Sequence, residues 1–96
     1  MLLRKRNNYM YTYLIVDDEM IERKGIRMLL SWMNIRENIL EASNGEEFLA
    51  MLPTVEPDVV LLDIEMPRMN GIVAAEEALK RYPGLKIITL SMYGDE

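Results

Sequence analysis

Short, nearly continuous apolar runs alternate along this chain of 96 residues with longer segments in which apolar residues recur every three or four positions. A short continuous run is typical of a strand buried on both faces, and the wider spacing is typical of an amphipathic helix. The runs predict four strands, at residues 11–16, 38–42, 58–63 and 86–91. Between them the spacing predicts three helices, at residues 20–32, about 46–52 and 72–82.

The first predicted helix has one apolar face, which we expect to pack on the sheet. Three charged residues, Glu22, Arg23 and Arg27, are expected to face away from it. The five residues of the expected apolar face are Ile21, Gly25, Met28, Leu29 and Trp32.

The other two helices are bounded by proline and glycine. The second places Phe48 and Leu52 inward and ends before a loop marked by Pro53 and Pro57, because proline cannot donate to a helix ladder. The third ends at Pro83-Gly84, and its expected inner face consists of Ile72, Ala75, Leu79 and Tyr82.

The predicted order of elements is therefore β-α-β-α-β-α-β. Strands that alternate with amphipathic helices call for an α/β fold with a parallel sheet and helices on both faces. In such a sheet, ligands bind beyond the carboxyl ends of the strands. Four polar residues follow those ends, namely Asp17, Asp18, Asp63 and Ser91.

Composition limits what this site can be. Half of the residues are apolar and 28% are charged, as in one globular domain. The chain has neither cysteine nor histidine, so any metal must be a hard ion held by oxygen. The net charge of -5 argues against a nucleic-acid surface. No apolar stretch approaches the ~20 residues that a membrane-spanning helix needs.

The first ten residues stand apart from this pattern. They contain the basic run Arg4-Lys5-Arg6, without a following apolar core of signal-peptide length. We expect residues 1–10 to be a weakly ordered leader and residues 11–96 to form the domain.

Three carboxylates at one sheet edge repel one another unless a cation relieves the repulsion, and Mg2+ suits oxygen ligands with room left for a phosphate. Asp63 is the likelier phosphoryl acceptor, since it stands alone after its strand while Asp17 and Asp18 can hold the metal. Taken singly, the acids can also cap a helix, and Ser91 can be a turn hydroxyl.

Three segments carry a resemblance to a known family, and their order and spacing are specific as a set. They are Leu14-Ile15-Val16-Asp17-Asp18-Glu19, Asp63-Ile64-Glu65-Met66-Pro67 with Asn70-Gly71, and Ile87-Ile88-Thr89-Leu90-Ser91. Over residues 11–96 the chain resembles the receiver domain of two-component response regulators, the CheY-like superfamily.

The resemblance implies a flavodoxin-like fold in which a partner histidine kinase phosphorylates Asp63. It implies that Mg2+ is bound by Asp18, Asp63 and the main-chain carbonyl of Glu65, with Asp17 helping through water. Ser91 would be the switch hydroxyl that moves towards the phosphoryl group. The implied protein is a cytoplasmic signalling module and not an enzyme.

Family members continue past the fourth strand with a helix, a fifth strand ending in a lysine, and a last helix, and we expect this chain to be truncated before them. None of its lysines matches the family's position, and Lys86 lies at the start of the fourth strand, ~16 Å from Asp63 by strand rise. We therefore expect impaired phosphorylation. The exposed fourth strand predicts self-association on that side, or else a loosely folded chain.

Two other functions are compatible with this sequence. The chain can be a receiver fragment that is not phosphorylated and assembles through its fourth-strand edge. Alternatively, Asp63-Ile64-Glu65 superficially resembles the nucleophile loop of aspartate-based phosphohydrolases, in which the second acid is a general acid and base.

Overall fold

The computed structural model describes residues 10–67 and 69–90, and seven elements follow one another there in the predicted order. The strands are β1 (Tyr13–Val16), β2 (Ile39–Ala42), β3 (Val59–Asp63) and β4 (Lys86–Leu90). The helices are α1 (Met20–Trp32), α2 (Gly45–Val55) and α3 (Gly71–Arg81). The predicted leader lies outside the described residues except for Met10.

The four strands form one parallel sheet in the order β2-β1-β3-β4. This arrangement confirms the predicted α/β class. Because the chain moves from β1 outward to β2 and then crosses to β3, the strand order reverses between β1 and β3. A crevice at the carboxyl ends of these two strands is the expected binding position in such a sheet.

Alternating residues of the two central strands build a separate apolar layer on each side of the sheet. Leu14 and Val16 of β1 pack with α2 and α3 on one side, and Tyr13 and Ile15 pack with α1 on the other. Among the residues that the structure describes, Phe48 of α2 is the largest fully buried side chain. Burial on both sides explains why β1 and β3 read as continuous apolar runs.

The predicted inner face of α1 is wrong. Ile21 and Trp32 are 71% and 72% exposed, whereas Ile26 and Leu30 pack on the sheet. The helix is rotated because its polar side also has partners: Arg23 and Arg27 both bind a carboxylate on β2. Met28 and Leu29 are exposed for the same reason, and Gly25 has no neighbour within 4 Å of a Cβ built on it.

The partner of both arginines is Glu41. Arg23 Nε donates to Glu41 Oε1 at 2.7 Å, and Arg27 Nε donates to Glu41 Oε2. These hydrogen bonds, led by that of Arg27, hold the pKa of Glu41 below its ordinary value. The face that the sequence pattern assigned to solvent therefore joins α1 to β2.

The end of α2 and the buried face of α3 also differ from the predictions. The second helix continues through Pro53 to Val55, because a proline near the last turn removes only one backbone bond while Leu52 remains buried. In α3 the buried positions are Gly71, Ala74 and Ala78. Of the predicted inner face, Ala75 and Tyr82 are partly buried against the same core, whereas Ile72 and Leu79 are 52% and 40% exposed. Small residues let α3 approach α2 closely.

None of the helices within residues 10–67 and 69–90 is both long and apolar enough to cross a lipid bilayer.

Two isoleucines of α1 test the observed orientation of this helix directly. Ile26 is 4% exposed and Ile21 is 71% exposed. We expect Ile26→Ala to lower the free energy of unfolding by about 2–4 kcal/mol, since it deletes buried methylene groups, and Ile21→Ala to change it by less than about 0.5 kcal/mol. Urea denaturation of both variants measures the difference. A larger loss for Ile21→Ala would restore the orientation predicted from the sequence.

Candidate functional site

Parallel pairing places two aspartates side by side at the carboxyl edge of the sheet. Val16 of β1 is in register with Leu62 of β3, so the next residues, Asp17 and Asp63, emerge at the same level. Asp18 follows directly in the turn before α1. Three of the side chains that the sequence placed at this edge are thus brought together.

Asp17, Asp18 and Asp63 each offer a carboxylate oxygen, and these three oxygens all lie within 4.8 Å of one another. Asp17 is completely buried and Asp63 is 2% exposed, whereas Asp18 is half-buried. Within the described residues, no lysine or arginine forms an ion pair with any of the three. Their negative charge is therefore not balanced by a basic side chain in that part of the chain.

Two of the carboxylates are fixed by the backbone that follows them. Asp17 Oδ1 accepts from the N–H of Glu19 at 2.9 Å, and Asp63 Oδ1 accepts from the N–H of Glu65 at 3.0 Å. Each aspartate thus bonds two residues ahead, a local arrangement for which its short side chain is suited. The bonds hold one oxygen of each group and leave the other available to the crevice.

One of these remaining oxygens is in an unfavourable position. Asp17 Oδ2 is buried without a hydrogen-bond partner, which is costly for a charged oxygen. A divalent cation at this position would relieve both the missing contact and the repulsion between the carboxylates. The donor set consists of oxygens only, as a hard ion such as Mg2+ requires, so the residues present fit such an ion.

The pKa values of two acids record the same crowding. Burial is the first cause that raises the pKa of Asp63, the neighbouring Asp17 and Asp18 charges add to it, and the bond from the Glu65 N–H opposes it. The pKa of Glu22 is raised to about 7, first by burial and then by its contact with the Asp17 carboxyl. The Glu22 carboxyl therefore lies beside that of Asp17.

Glu22 and Arg23 are the site residues that sequence reasoning missed, because it assigned both to solvent. Arg23 donates one guanidinium N–H to the main-chain carbonyl of Asp17 at 2.7 Å and another to Glu41. This double contact ties the turn after β1 to the end of β2. Their position in the first turn of α1, directly after the acid pair, is the signal that could have identified them.

A close contact between the start of α3 and the end of β3 fixes the position of Asp63. Gly71, the first residue of α3, lies against the end of β3, and a Cβ atom there would be 2.3 Å from the carbonyl oxygen of Asp63. Asn70 caps the helix by accepting from the N–H of Ile72 at 2.7 Å. The Asn70-Gly71 pair, which belongs to one of the segments that carry the family resemblance, therefore helps to position Asp63.

The roles predicted for two site residues remain predictions. Ser91 lies outside the described residues. The side chain of Glu65 is exposed, and its main chain contacts Asp63 through the N–H, which leaves the predicted role of its carbonyl as a metal ligand untested. Lys86 is in register with Val59 at the start of β3, so it lies at the opposite end of the sheet from Asp63.

Comparison with known proteins identifies the family to which this chain belongs. The family model of the response regulator receiver domain matches residues 13–96. The chain belongs to this family, and it is a receiver domain of the kind found in response regulators of two-component signalling.

Two curated relatives place similar regions in different proteins. The chain is 34% identical over 82 residues to the transcriptional regulatory protein DegU of Brevibacillus brevis, covering 85% of this chain and 35% of DegU. It is 35% identical over 85 residues to the autoinducer 1 sensor kinase/phosphatase LuxN of Vibrio campbellii, covering 88% of this chain and 10% of LuxN. The chain thus spans about a third of DegU and a tenth of LuxN.

Solved structures confirm the CheY-like, flavodoxin-like fold. The response regulator protein TrrA of Thermotoga maritima, crystallised in complex with Mg(2+)-BeF, matches with a TM-score of 0.80 and 38% identity over 88% of this chain and 72% of that chain. A CheY-like receiver domain protein from Methanospirillum hungatei matches with a TM-score of 0.77 and 28% identity, over 90% of this chain and 67% of that chain.

Two glycines test the close contact between α3 and the end of β3 beside Asp63. We expect Gly71→Ala to destabilise the chain and to displace the end of β3, because its Cβ would overlap backbone atoms, including the carbonyl oxygen of Asp63. Gly25→Ala is the control: nothing lies within 4 Å of its Cβ, and removing a glycine from a helix gains about 0.5–1 kcal/mol. Thermal unfolding of both variants provides the measurement, and equal melting temperatures would contradict the close contact between Gly71 and the end of β3.

Without divalent ions, we expect the free energy of unfolding of the chain to decrease as the pH rises. Glu22 has a pKa of about 7 in the folded chain against an ordinary value of 4.5, so the folded state holds a proton that the unfolded state has lost. The associated stability is present below about pH 4.5 and is lost as the pH rises through about 7. The raised pKa of Asp63 acts in the same direction.

We therefore expect the urea midpoint in EDTA to fall between about pH 5 and pH 7.5, and to fall less in Glu22→Gln. The lowered pKa values of Glu41 and Glu47 affect stability only at more acidic pH, so they do not mask the trend. A midpoint that rises over this interval in both proteins would contradict the geometry of the site.

Proposed function

We propose that this chain receives a phosphoryl group on Asp63 from a histidine kinase and that Mg2+ held at the sheet edge is needed for the transfer. The observation that carries the proposal is the set of three carboxylate oxygens within 4.8 Å, beside one buried oxygen without a donor. The complex of TrrA with Mg(2+)-BeF supports the ion, and the likeness to a region of the sensor kinase/phosphatase LuxN supports the donor.

In the proposed transfer, a carboxylate oxygen of Asp63 attacks the phosphorus of a phosphohistidine. A P–O bond forms while the P–N bond breaks, the electron pair of the broken bond stays on the imidazole nitrogen, and the product is an aspartyl phosphate. The attacking group must be ionised. Burial raises the pKa of Asp63 and therefore disfavours the ionised carboxylate. The bond from the Glu65 N–H and a bound cation both oppose this effect and favour the reactive form.

Asp17, Asp18 and Asp63 would hold the ion, with the main-chain carbonyl of Glu65 as the further ligand that the family resemblance implies. When bound, Mg2+ supplies positive charge against the carboxylates and the oxygens of the transferring group. Asp63 Oδ1 is engaged by the backbone, which turns its other oxygen towards the donor. Ser91 is proposed as the hydroxyl that responds to the phosphoryl group.

The proposed role is that of an acceptor and not of an enzyme. Phosphohydrolase chemistry at Asp63 would use the Glu65 carboxyl as general acid and base, and this side chain is exposed to solvent. An acceptor needs only one ionised nucleophile and charge compensation, and the arrangement of the three aspartates supports that simpler requirement. Sustained turnover of a phosphate monoester would contradict this part of the proposal.

Chemical phosphorylation tests the acceptor directly. We expect acetyl phosphate with Mg2+ to add one phosphoryl group to the wild type, detected as a mass increase that is lost in Asp63→Asn. The variant Asp18→Asn is a second control, because it keeps the nucleophile and removes a proposed metal ligand, so its labelling should be strongly slowed. Labelling of Asp63→Asn equal to the wild type, or no labelling of any protein, would contradict the proposal.

A second candidate role is assembly with another copy of this chain. In the described residues β4 is the last strand of the sheet, and its outer edge has no paired strand. Ile88 on this strand is 45% exposed, and unpaired strand edges of this kind favour pairing with another chain. Helix α1 packs in the same apolar layer as Leu90 of this strand.

We expect sedimentation at micromolar concentration to show dimers of the wild type and monomers of Ile88→Lys, since a charge on this edge opposes pairing. Lys24 offers the control variant Lys24→Gln, which changes an exposed charge on α1 instead. A compact wild-type monomer would remove the assembly role without affecting the acceptor role.

A further inference from the structure

The main-chain carbonyl of Asp17 lies just beyond the paired part of β1. The registers of β1 with β2 and with β3 both end at Val16, so this carbonyl is outside the strand ladder. Asp17 is fully buried, and a buried carbonyl needs a hydrogen-bond donor. The guanidinium of Arg23 supplies it, at 2.7 Å. An α1 side chain thus replaces the donor that the sheet does not provide.

This bond fixes the peptide unit that joins the two adjacent aspartates. The carbonyl of Asp17 and the N–H of Asp18 belong to one planar unit, so holding the first orients the second. The N–H of Asp17 donates to the carbonyl of Ala42 at 3.1 Å, and its Oδ1 accepts from the N–H of Glu19 at 2.9 Å. Arg23 completes this set of bonds and sets the direction in which Asp18 leaves the strand.

The position of Arg23 is itself fixed by Glu41 on β2. Arg23 Nε donates to Glu41 Oε1 at 2.7 Å, and the Arg23 side chain is only 15% exposed. A guanidinium carries its donors in a rigid planar fork, so a bond on one side of the fork orients the other side. The end of β2 is therefore the fixed support from which Arg23 reaches the turn that carries the acid pair.

Arg27 provides an internal comparison for this arrangement. It donates to the other carboxylate oxygen of Glu41 and to the main-chain carbonyl of Ile39, the latter at 3.0 Å. The two arginines thus share one carboxylate partner, carry the same charge and each bind one main-chain carbonyl. Of these two carbonyls, only the one bound by Arg23 belongs to a residue of the proposed cation site.

We propose that Arg23 is a positioning residue for the cation site, because its bond to the Asp17 carbonyl keeps the carboxylates of Asp17 and Asp18 in the arrangement that a divalent ion needs. The inference rests on the function proposed above. Arg23 acts through the main chain and touches neither the ion nor the phosphoryl group. Its positive charge taken alone opposes a divalent cation, so its contribution to binding is one of geometry.

Calorimetric titration of the whole chain with MgCl2 tests this role in the wild type, Arg23→Met and Arg27→Met. Methionine keeps an unbranched apolar chain and removes every donor. Losing a group that orients a metal ligand typically costs about 10–100-fold in affinity, and we expect about tenfold for Arg23→Met because Arg23 acts on the main chain. Arg27→Met is the matched control and should change the affinity less than about twofold.

The direction of the change separates positioning from a simple charge effect. Removing a positive charge near the site should tighten Mg2+ binding, whereas losing the positioning bond should weaken it. Arg23→Lys is the conservative variant, since it keeps the charge and one reaching donor but lacks the planar fork, and it should recover part of the affinity, to within roughly threefold of the wild type. Arg27→Lys should bind Mg2+ as the wild type does.

The outcomes separate this inference from the proposed function. If the wild type binds no Mg2+, the cation site is wrong and the role of Arg23 falls with it. If the wild type binds Mg2+ and Arg23→Met binds it as tightly as Arg27→Met does, or more tightly, only the role of Arg23 is overturned. Circular dichroism verifies that each variant is folded. If Arg23→Met does not fold, the two lysine variants decide, and equal affinities for Mg2+ overturn the inference.

Discussion

The repulsion among three aspartates at one edge of a parallel sheet is the constraint on which the site depends. Pairing of β1 with β3 places Asp17 and Asp63 at the same level, and Asp18 follows in the adjoining turn. A buried carboxylate is tolerated only when other groups compensate its charge. The described residues provide backbone N–H groups for this purpose and no basic side chain, which leaves room for a cation.

The surrounding structure holds the acids in place against that repulsion. The N–H groups of Glu19 and Glu65 each fix one carboxylate oxygen, the Arg23 guanidinium fixes the turn that carries Asp17, and Gly71 allows α3 to pack against the carbonyl of Asp63. Among the described residues, Asp17 and Asp63 are the buried charged groups, and the central strands behind them are packed by apolar layers on both sides, so these strands cannot move apart without exposing apolar residues. The strain is therefore confined to the carboxylates, where a bound ion or a phosphoryl group would act on it.

The sequence was a good guide wherever one interaction dominated. Continuous apolar runs identified the buried strands, and because parallel strands end at a common edge, the meeting of Asp17, Asp18 and Asp63 could be predicted. The pattern failed for α1, where apolar spacing favoured Ile21 and Trp32 although tertiary contacts turned the helix the other way. Hydrophobic periodicity does not register the bonds between arginines of α1 and Glu41 of β2, and it therefore also missed Glu22 and Arg23.

The most direct test of the charge account is the melting temperature of the wild type and of Asp63→Asn, each measured with EDTA and with millimolar MgCl2. Without the ion, the amide removes a repelling charge, so Asp63→Asn should melt higher than the wild type. With the ion, the wild type should gain stability through binding and the difference should shrink or reverse, because ligands that bind only the folded state stabilise it. An Asp63→Asn variant that melts lower than the wild type in EDTA, together with no effect of MgCl2 on either protein, would contradict the account.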